Sequence, residues 1–170
     1  IQMKLEHEFQ EPALLEEALV HSSYKHERRL IKDNERLEFL GDAVIGLVVA
    51  EQLFERFPEA TEGQISWGRS QLVSRKKLGE LALEQQMGDW ILLGKGEKAT
   101  GGSQKRSVLA GLFEAVVGAL YLDGGLQVAR TFLLRVYERS MKELSLEKDS
   151  GQKALDQKTF LQEMTQARFG

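Results

Sequence analysis

From Leu37 to Ala50 every position is apolar or glycine except Glu38 and Asp42. Leu37, Leu40, Val44, Leu47 and Val48 recur at three- and four-residue steps, the period of an α-helix. Apolar character on all sides predicts that the centre of this helix is buried. Asp33 or Asn34 supplies a cap, and Pro58 closes the element after about Phe57. Gly41 and Gly46 each cost about 1 kcal/mol inside a helix, so a second helix is expected to press against them.

The same reading divides the rest of the chain. Pro12–His21 forms a first helix with Leu14, Leu15, Ala18 and Leu19 as its stripe, and the basic, polar residues 25–33 read as a loop. Thr61-Glu-Gly-Gln64 is a cap and first turn for a helix over about 62–86, broken near Val73–Arg75. Residues 88–102 hold five glycines around Trp90–Leu93 and read as a loop with an apolar anchor. A helix over 104–121 stops at Leu122-Asp-Gly-Gly125, and another spans 126–144. No segment alternates as a strand would, and no repeat is present. The expectation is an all-α domain over 1–145, a polar linker over 146–155 and a separate helix in 156–170.

Composition narrows the class. The chain has 170 residues, 42% of them hydrophobic and 29% charged, so it can bury one sizeable core. With no cysteine it has neither a disulfide scaffold nor a thiolate metal site. No apolar run is expected to reach the length of a membrane span, and Ile1–Glu6 shows no basic-then-apolar leader. A cytoplasmic location follows as the expectation. The net charge of −3 is unlike that of most polyanion binders, but cations cluster locally, at Arg69, Arg75, Lys76 and Lys77 and again at Lys95, Lys98, Lys105 and Arg106.

Glu38 and Asp42 are four residues apart and leave one helix face, with Glu35 extending the stripe. Like charges so placed are stable in a partly apolar setting only with a compensating cation. An all-oxygen donor set points to a hard divalent ion, magnesium first. Glu114 is a second isolated acid, in the apolar run Leu109–Leu120, with Gly118 one turn on. If the two helices cross at their glycines, the three acids share a site. His7, His21 and His26 show no ligand spacing.

Asn34-Glu-Arg-Leu-Glu-Phe-Leu-Gly-Asp42 resembles the signature of the ribonuclease III family over nine residues. His21-Ser-Ser, the pattern from Glu62 to Val73, and Glu114-Ala-x-x-Gly-Ala-x-Tyr-Leu-Asp-Gly124 are similar to its other motifs. The resemblance covers about residues 5–145. It implies a helical nuclease domain forming a symmetric dimer, which hydrolyses double-stranded RNA to 5′-phosphate and 3′-hydroxyl ends in RNA processing. Magnesium is the implied cofactor, with manganese as a substitute, and no small-molecule cofactor or membrane is involved. Glu38, Asp42 and Glu114 are the implied metal ligands, Asp42 and Glu114 also carrying the catalytic role. Glu35 and Glu62 are candidates for an outer shell or an RNA contact. Arg69, Arg75, Lys76, Lys105 and Arg106 are candidates for phosphate contacts, and Phe39 for the dimer interface.

The chain departs from the family at one ligand. Where an aspartate is expected three residues before Glu114, it has Gly111, and no acid occurs in 107–113. A weakened enzyme, an inactive member that only binds RNA, and an introduced substitution all fit this change. Asp156–Gln166 resembles the opening helix of a double-stranded-RNA-binding domain, an α+β module when complete. Thr159, Gln162 and Gln166 fall on one face there and would meet the minor groove. Fifteen residues are only the first helix of such a domain.

Overall fold

The computed structural model describes residues 1–146; the linker from 147 on and the tail residues Thr159, Gln162 and Gln166 lie outside the described residues. The helices are α1 (Gln2–Leu5), α2 (Pro12–Ala18), α3 (Ser22–Arg28), α4 (Glu35–Arg56), α5 (Glu62–Leu72), α6 (Arg75–Glu84), α7 (Lys95–Ala99) and α8 (Arg106–Glu143), with 3-10 turns at Met87–Asp89 and Gly102–Gln104. The described residues contain no strand, only an isolated parallel bridge between Val20 and Leu92. The fold class is all-α, as the periodicity predicts.

Local chemistry sets the boundaries. At the start of α5 the Thr61 hydroxyl accepts the Gln64 N–H, and the Gln64 side chain accepts the Thr61 N–H at 2.8 Å. This reciprocal cap is worth about 1 kcal/mol. Ser74 accepts the Lys77 N–H at 3.2 Å and starts α6 afresh, so the break expected near Val73–Arg75 is a capped restart.

Several expectations need correction. Part of the 25–33 loop is helical, because α3 runs over Ser22–Arg28. The His21 ring accepts the Ser23 N–H as its cap, and Arg29 ends the helix at φ 52°. A short polar helix has no apolar period to betray it. The glycine-rich segment 88–102 likewise contains α7. Asn34 occupies the cap position of α4 without a side-chain bond; Asp33 Oδ1 accepts the Glu35 N–H at 3.3 Å instead. The stop expected at 122–125, by contrast, holds: Gly125, at φ 74° and ψ −177°, is non-helical and divides α8 into two helices at a kink. Beside that break the buried Asp123 carboxylate accepts the backbone N–H groups of Gln10 and Glu11 at 3.0 and 2.8 Å and meets the His7 ring at 2.7 Å. The segment between α1 and α2 is thereby fastened to α8.

The central contact is α8 against α4, with α6 and α2 on other sides of α8. A Cβ at Gly41 would lie 1.8 Å from the Glu114 carbonyl oxygen, and one at Gly118 would lie 2.4 Å from the Leu37 carbonyl oxygen. The helices therefore meet backbone to backbone, which only glycine permits. Gly46 is different: nothing lies within 4 Å of an added Cβ there, so the approach expected at Gly46 does not occur. Tyr137, buried in the second half of α8, donates to the Leu72 carbonyl at 2.9 Å and ties α8 to α5.

The prediction that the centre of α4 is buried on all sides holds for only part of it. Leu37, Val44, Ile45, Val48 and Val49 enter the core, but Phe39 is 82% exposed, Phe54 73% and Leu47 49%. An all-apolar helix can present one face to another chain rather than to its own core, and periodicity does not separate the two cases. The expectation about membrane-length runs is also corrected. By length and composition alone α8 could cross a membrane, but 67% of its apolar window is buried inside the protein. It is the central core helix, apolar because it packs against α4, α6 and α2.

Candidate metal and active site

The crossing of α4 and α8 decides where the acids go. Glu38 and Asp42 leave α4 one turn apart beside Gly41, and Glu114 leaves α8 between Gly111 and Gly118. All three line one cavity of about 570 Å³, together with Glu35, Phe39, Val73 and Arg75. Glu114 is 7% exposed, Glu38 is half-buried and Asp42 is exposed. Burial pushes the Glu114 carboxyl up to about 7, and the charges of Glu38 and Asp42 push it the same way. Only the Arg75 guanidinium opposes them. Among the described residues none of these three acids forms an ion pair with a cation within 4 Å.

The donor set suits a hard divalent ion, since every candidate ligand atom is a carboxylate oxygen and, among the described residues, Arg75 is the one cation lining the cavity against several acids. The acids share the cavity without closing on one point: among the described residues no three His, Asp or Glu side chains stand in a ready-made ligand cluster. Glu38 is turned toward α8. Its Oε2 lies 2.6 Å from where a Cβ on Gly111 would be, so its carboxylate covers the missing side chain's place.

The candidate outer residues separate. Glu35 lines the acid cavity. Glu62 does not; in the first turn of α5 it accepts the Ser66 hydroxyl at 2.7 Å. The candidate RNA contacts also divide. Arg75, the first residue of α6, lines the acid cavity itself. Arg69 lines an adjoining groove of about 590 Å³ that shares Asp42 and Val73. Lys76 faces a third recess with Lys77, Glu80 and Glu143. Lys105 pairs with Glu97 at 2.7 Å, and Arg106 approaches Glu80 at 3.7 Å. Phe39 sits between the two ligand candidates of α4 and projects outward; it lines both the acid cavity and a second groove of about 660 Å³ with Leu14, Leu40 and Leu122. Sequence reasoning missed that Arg75 joins the acids. The signal was present: three cations, Arg75, Lys76 and Lys77, open α6 with no acid in its first turn, against the helix dipole.

Comparison with known proteins agrees with this architecture. The family model described as Ribonuclease-III-like matches residues 11–141. The chain is 47% identical over 167 residues to Ribonuclease 3 of Bdellovibrio bacteriovorus, covering 98% of this chain and 70% of that protein. Among solved structures it is similar to the nuclease domain of ribonuclease III from Campylobacter jejuni, with a TM-score of 0.77 and 40% identity over 85% of this chain and 95% of that one. A second structure of that domain, described as showing flexibility in the region involved in dimer formation, gives 0.76 and 41% identity, covering 81% of this chain and 94% of that one.

Proposed function

The chain belongs to the ribonuclease III family and is an endoribonuclease, and on that premise we propose that it cuts double-stranded RNA with a divalent metal held by Glu38, Asp42 and Glu114. The observation that carries this reading is the convergence of three carboxylates from α4 and α8 on one cavity, with Glu114 buried and no ion pair to offset it. Magnesium is the proposed ion, manganese a substitute, and the products carry 5′-phosphate and 3′-hydroxyl ends. A bound divalent ion supplies an activated water and charge stabilisation at the leaving oxygen. The chain's own residues do the rest. The backbone contact at Gly41 and Gly118 fixes the separation of the two ligand-bearing helices. Glu114 projects from a buried turn with little freedom, while exposed Asp42 adjusts to substrate. Arg75 and Arg69 face phosphates from the acid cavity and its neighbour, contacts that position a duplex without reading its sequence.

The functional unit of this proposal is a symmetric dimer. Phe39, Leu47 and Phe54 place exposed apolar surface along one side of α4, beside the acid cavity. A two-fold axis there sets two acid cavities on a common duplex, one for each strand. The cytoplasm is the proposed compartment.

Cleavage of a long RNA duplex with magnesium and with manganese tests the reading. Product ends of the stated type, and binding that weakens steeply with salt, are expected. A second reading rests on Gly111: a protein that binds duplex RNA and leaves it uncut. Cleavage gained only by Gly111→Asp favours that reading, and cleavage by the parent chain favours the enzyme. Failure of both forms to cut, with duplex RNA still bound, overturns the site.

A further inference from the structure

The turn between α5 and α6 has a depression on each side. Val73 and Arg75 line the acid cavity. Ser74, Lys76 and Lys77 line a separate recess of about 270 Å³, completed by Glu80 of α6 and by Ser140 and Glu143 near the end of α8. Resting on the reading of the chain as an enzyme of duplex RNA, we infer that this recess is a phosphate subsite, which holds a backbone phosphate flanking the one at the acids.

Ser140 is 7% exposed, yet its hydroxyl makes no hydrogen bond among the described residues and opens onto the recess. A hydroxyl so deeply set needs a partner, and here only something filling the recess can supply one. The recess also receives the N-terminus of α6, whose first N–H groups have no acceptor within the helix. The Ser74 hydroxyl satisfies only that of Lys77, at 3.2 Å. A helix N-terminus favours an anion, but the first turn of α6 carries cations and no acid. Arg75 has the acids of its own cavity opposite it. Lys76 and Lys77 have no ion-pair partner within 4 Å among the described residues. The two acids of the recess are engaged elsewhere, Glu80 with Arg106 at 3.7 Å and Glu143 with Arg139 at 2.8 Å, and Lys77 is only the last of the influences on Glu143. Even with Glu84, which acts on Arg139 from further off, the group keeps a net positive charge. The fixed parts of the subsite are Ser140 and the α6 N–H groups. Lys77 is half-buried, and exposed Lys76 has only to bring charge, since an ammonium serves phosphate as a point charge. The recess is smaller than pockets that take whole small molecules and suits a single phosphate group. An RNA strand supplies that phosphate because alternate residues of one turn line the two depressions, so a strand with one phosphate at the acids can set another in the recess.

Binding of a long RNA duplex to the full chain, without divalent metal and at several salt concentrations, tests the subsite. The double variant Lys76→Gln, Lys77→Gln is expected to bind about tenfold more weakly, with a slope of log affinity against log salt shallower by about 1 to 2. Ser140→Ala should bind about threefold more weakly with the slope unchanged, because no charge is lost. Lys142→Gln, on α8 outside the recess, is the control and should bind as the parent does. Without RNA the double lysine variant should unfold at a higher temperature, because repelling charges have left the helix N-terminus; a merely structural role for the lysines would lower it. Either the double lysine variant or Ser140→Ala binding duplex like the parent overturns the inference, as does an equal loss in Lys142→Gln, which would mark a general charge effect. Inorganic phosphate at constant ionic strength is the second arm. If it shifts the Ser140 amide resonance while the recess variants keep full RNA affinity, the recess takes free phosphate and its assignment to RNA is overturned. No duplex binding by the parent chain overturns the RNA reading itself, and manganese uptake, expected to be the same in every variant, reports on the metal reading separately.

Discussion

Gly118 and Gly111 lie two turns apart on α8 and both face α4, yet they are glycine for different reasons. A side chain at Gly118 would run into the Leu37 carbonyl at 2.4 Å, backbone that cannot step aside. A side chain at Gly111 would meet the Glu38 carboxylate at 2.6 Å, the free end of a flexible chain. The first glycine sets how closely the helices approach. The second only leaves room for an acid to lean into. Close packing and chemistry therefore meet on one helix face but are separable by substitution.

The largest effect is expected at the packed end. Gly118→Ala forces α4 and α8 apart, and overpacking against backbone costs about 3 kcal/mol. Denaturant unfolding should show that loss, with cleavage falling as well because Glu114 moves away from Glu38 and Asp42. An unchanged midpoint would mean that the helices can re-pack, and would weaken the claim that this contact fixes the site.

Glu114 lies between the two glycines, and its effect is expected to be intermediate. In metal-free protein its carboxyl keeps a proton up to about pH 7, whereas an unfolded one loses it near 4.5. The folded state therefore binds the extra proton between those values, so stability falls as pH rises from about 4.5 to about 7 and levels off above. Glu114→Gln should remove that slope. At pH 8 it should be more stable than the parent by about 2 kcal/mol, a figure reduced for the carboxyl's opening onto the cavity. It should also lose cleavage. Stability that rises with pH through this window, or a Gln variant less stable at pH 8, would contradict the repulsion assigned to the three acids.

What could be read from residues alone follows the same division. The spacing of Glu38 and Asp42, the isolated Glu114 and the glycines at 41 and 118 are local patterns, and they led to a crossing of two helices with acids beside it. Arg75 was legible only as a cation, because what brings it to the acids is the turn between α5 and α6, a tertiary fact. The lean of Glu38 over Gly111 depends on a contact between two helices far apart in sequence. The outward face of α4 is legible only at Phe39, through the family resemblance, because Leu47 and Phe54 look like core residues when only hydrophobicity is counted. Helix α3 was missed because its residues carry no apolar period, and its cap is a histidine.

Gly111→Ala is expected to have the smallest effect on stability, and the opposite sign to Gly118→Ala. Alanine is favoured over glycine in a helix interior by about 1 kcal/mol, through backbone entropy. Against this stands only the displacement of the Glu38 carboxylate, which can swing back into the open cavity it shares with Asp42. The net gain should be about 0.5 kcal/mol, close to the resolution of denaturant unfolding but opposite in direction to the Gly118 result. Alanine adds bulk without adding a ligand, so it separates the two things an aspartate would bring: if Glu38 swings out toward Asp42, manganese affinity should rise modestly even though no carboxylate was added. A loss of stability comparable to that of Gly118→Ala would show that Gly111, too, is held by packing, and the distinction between the two ends of the helix face would fail.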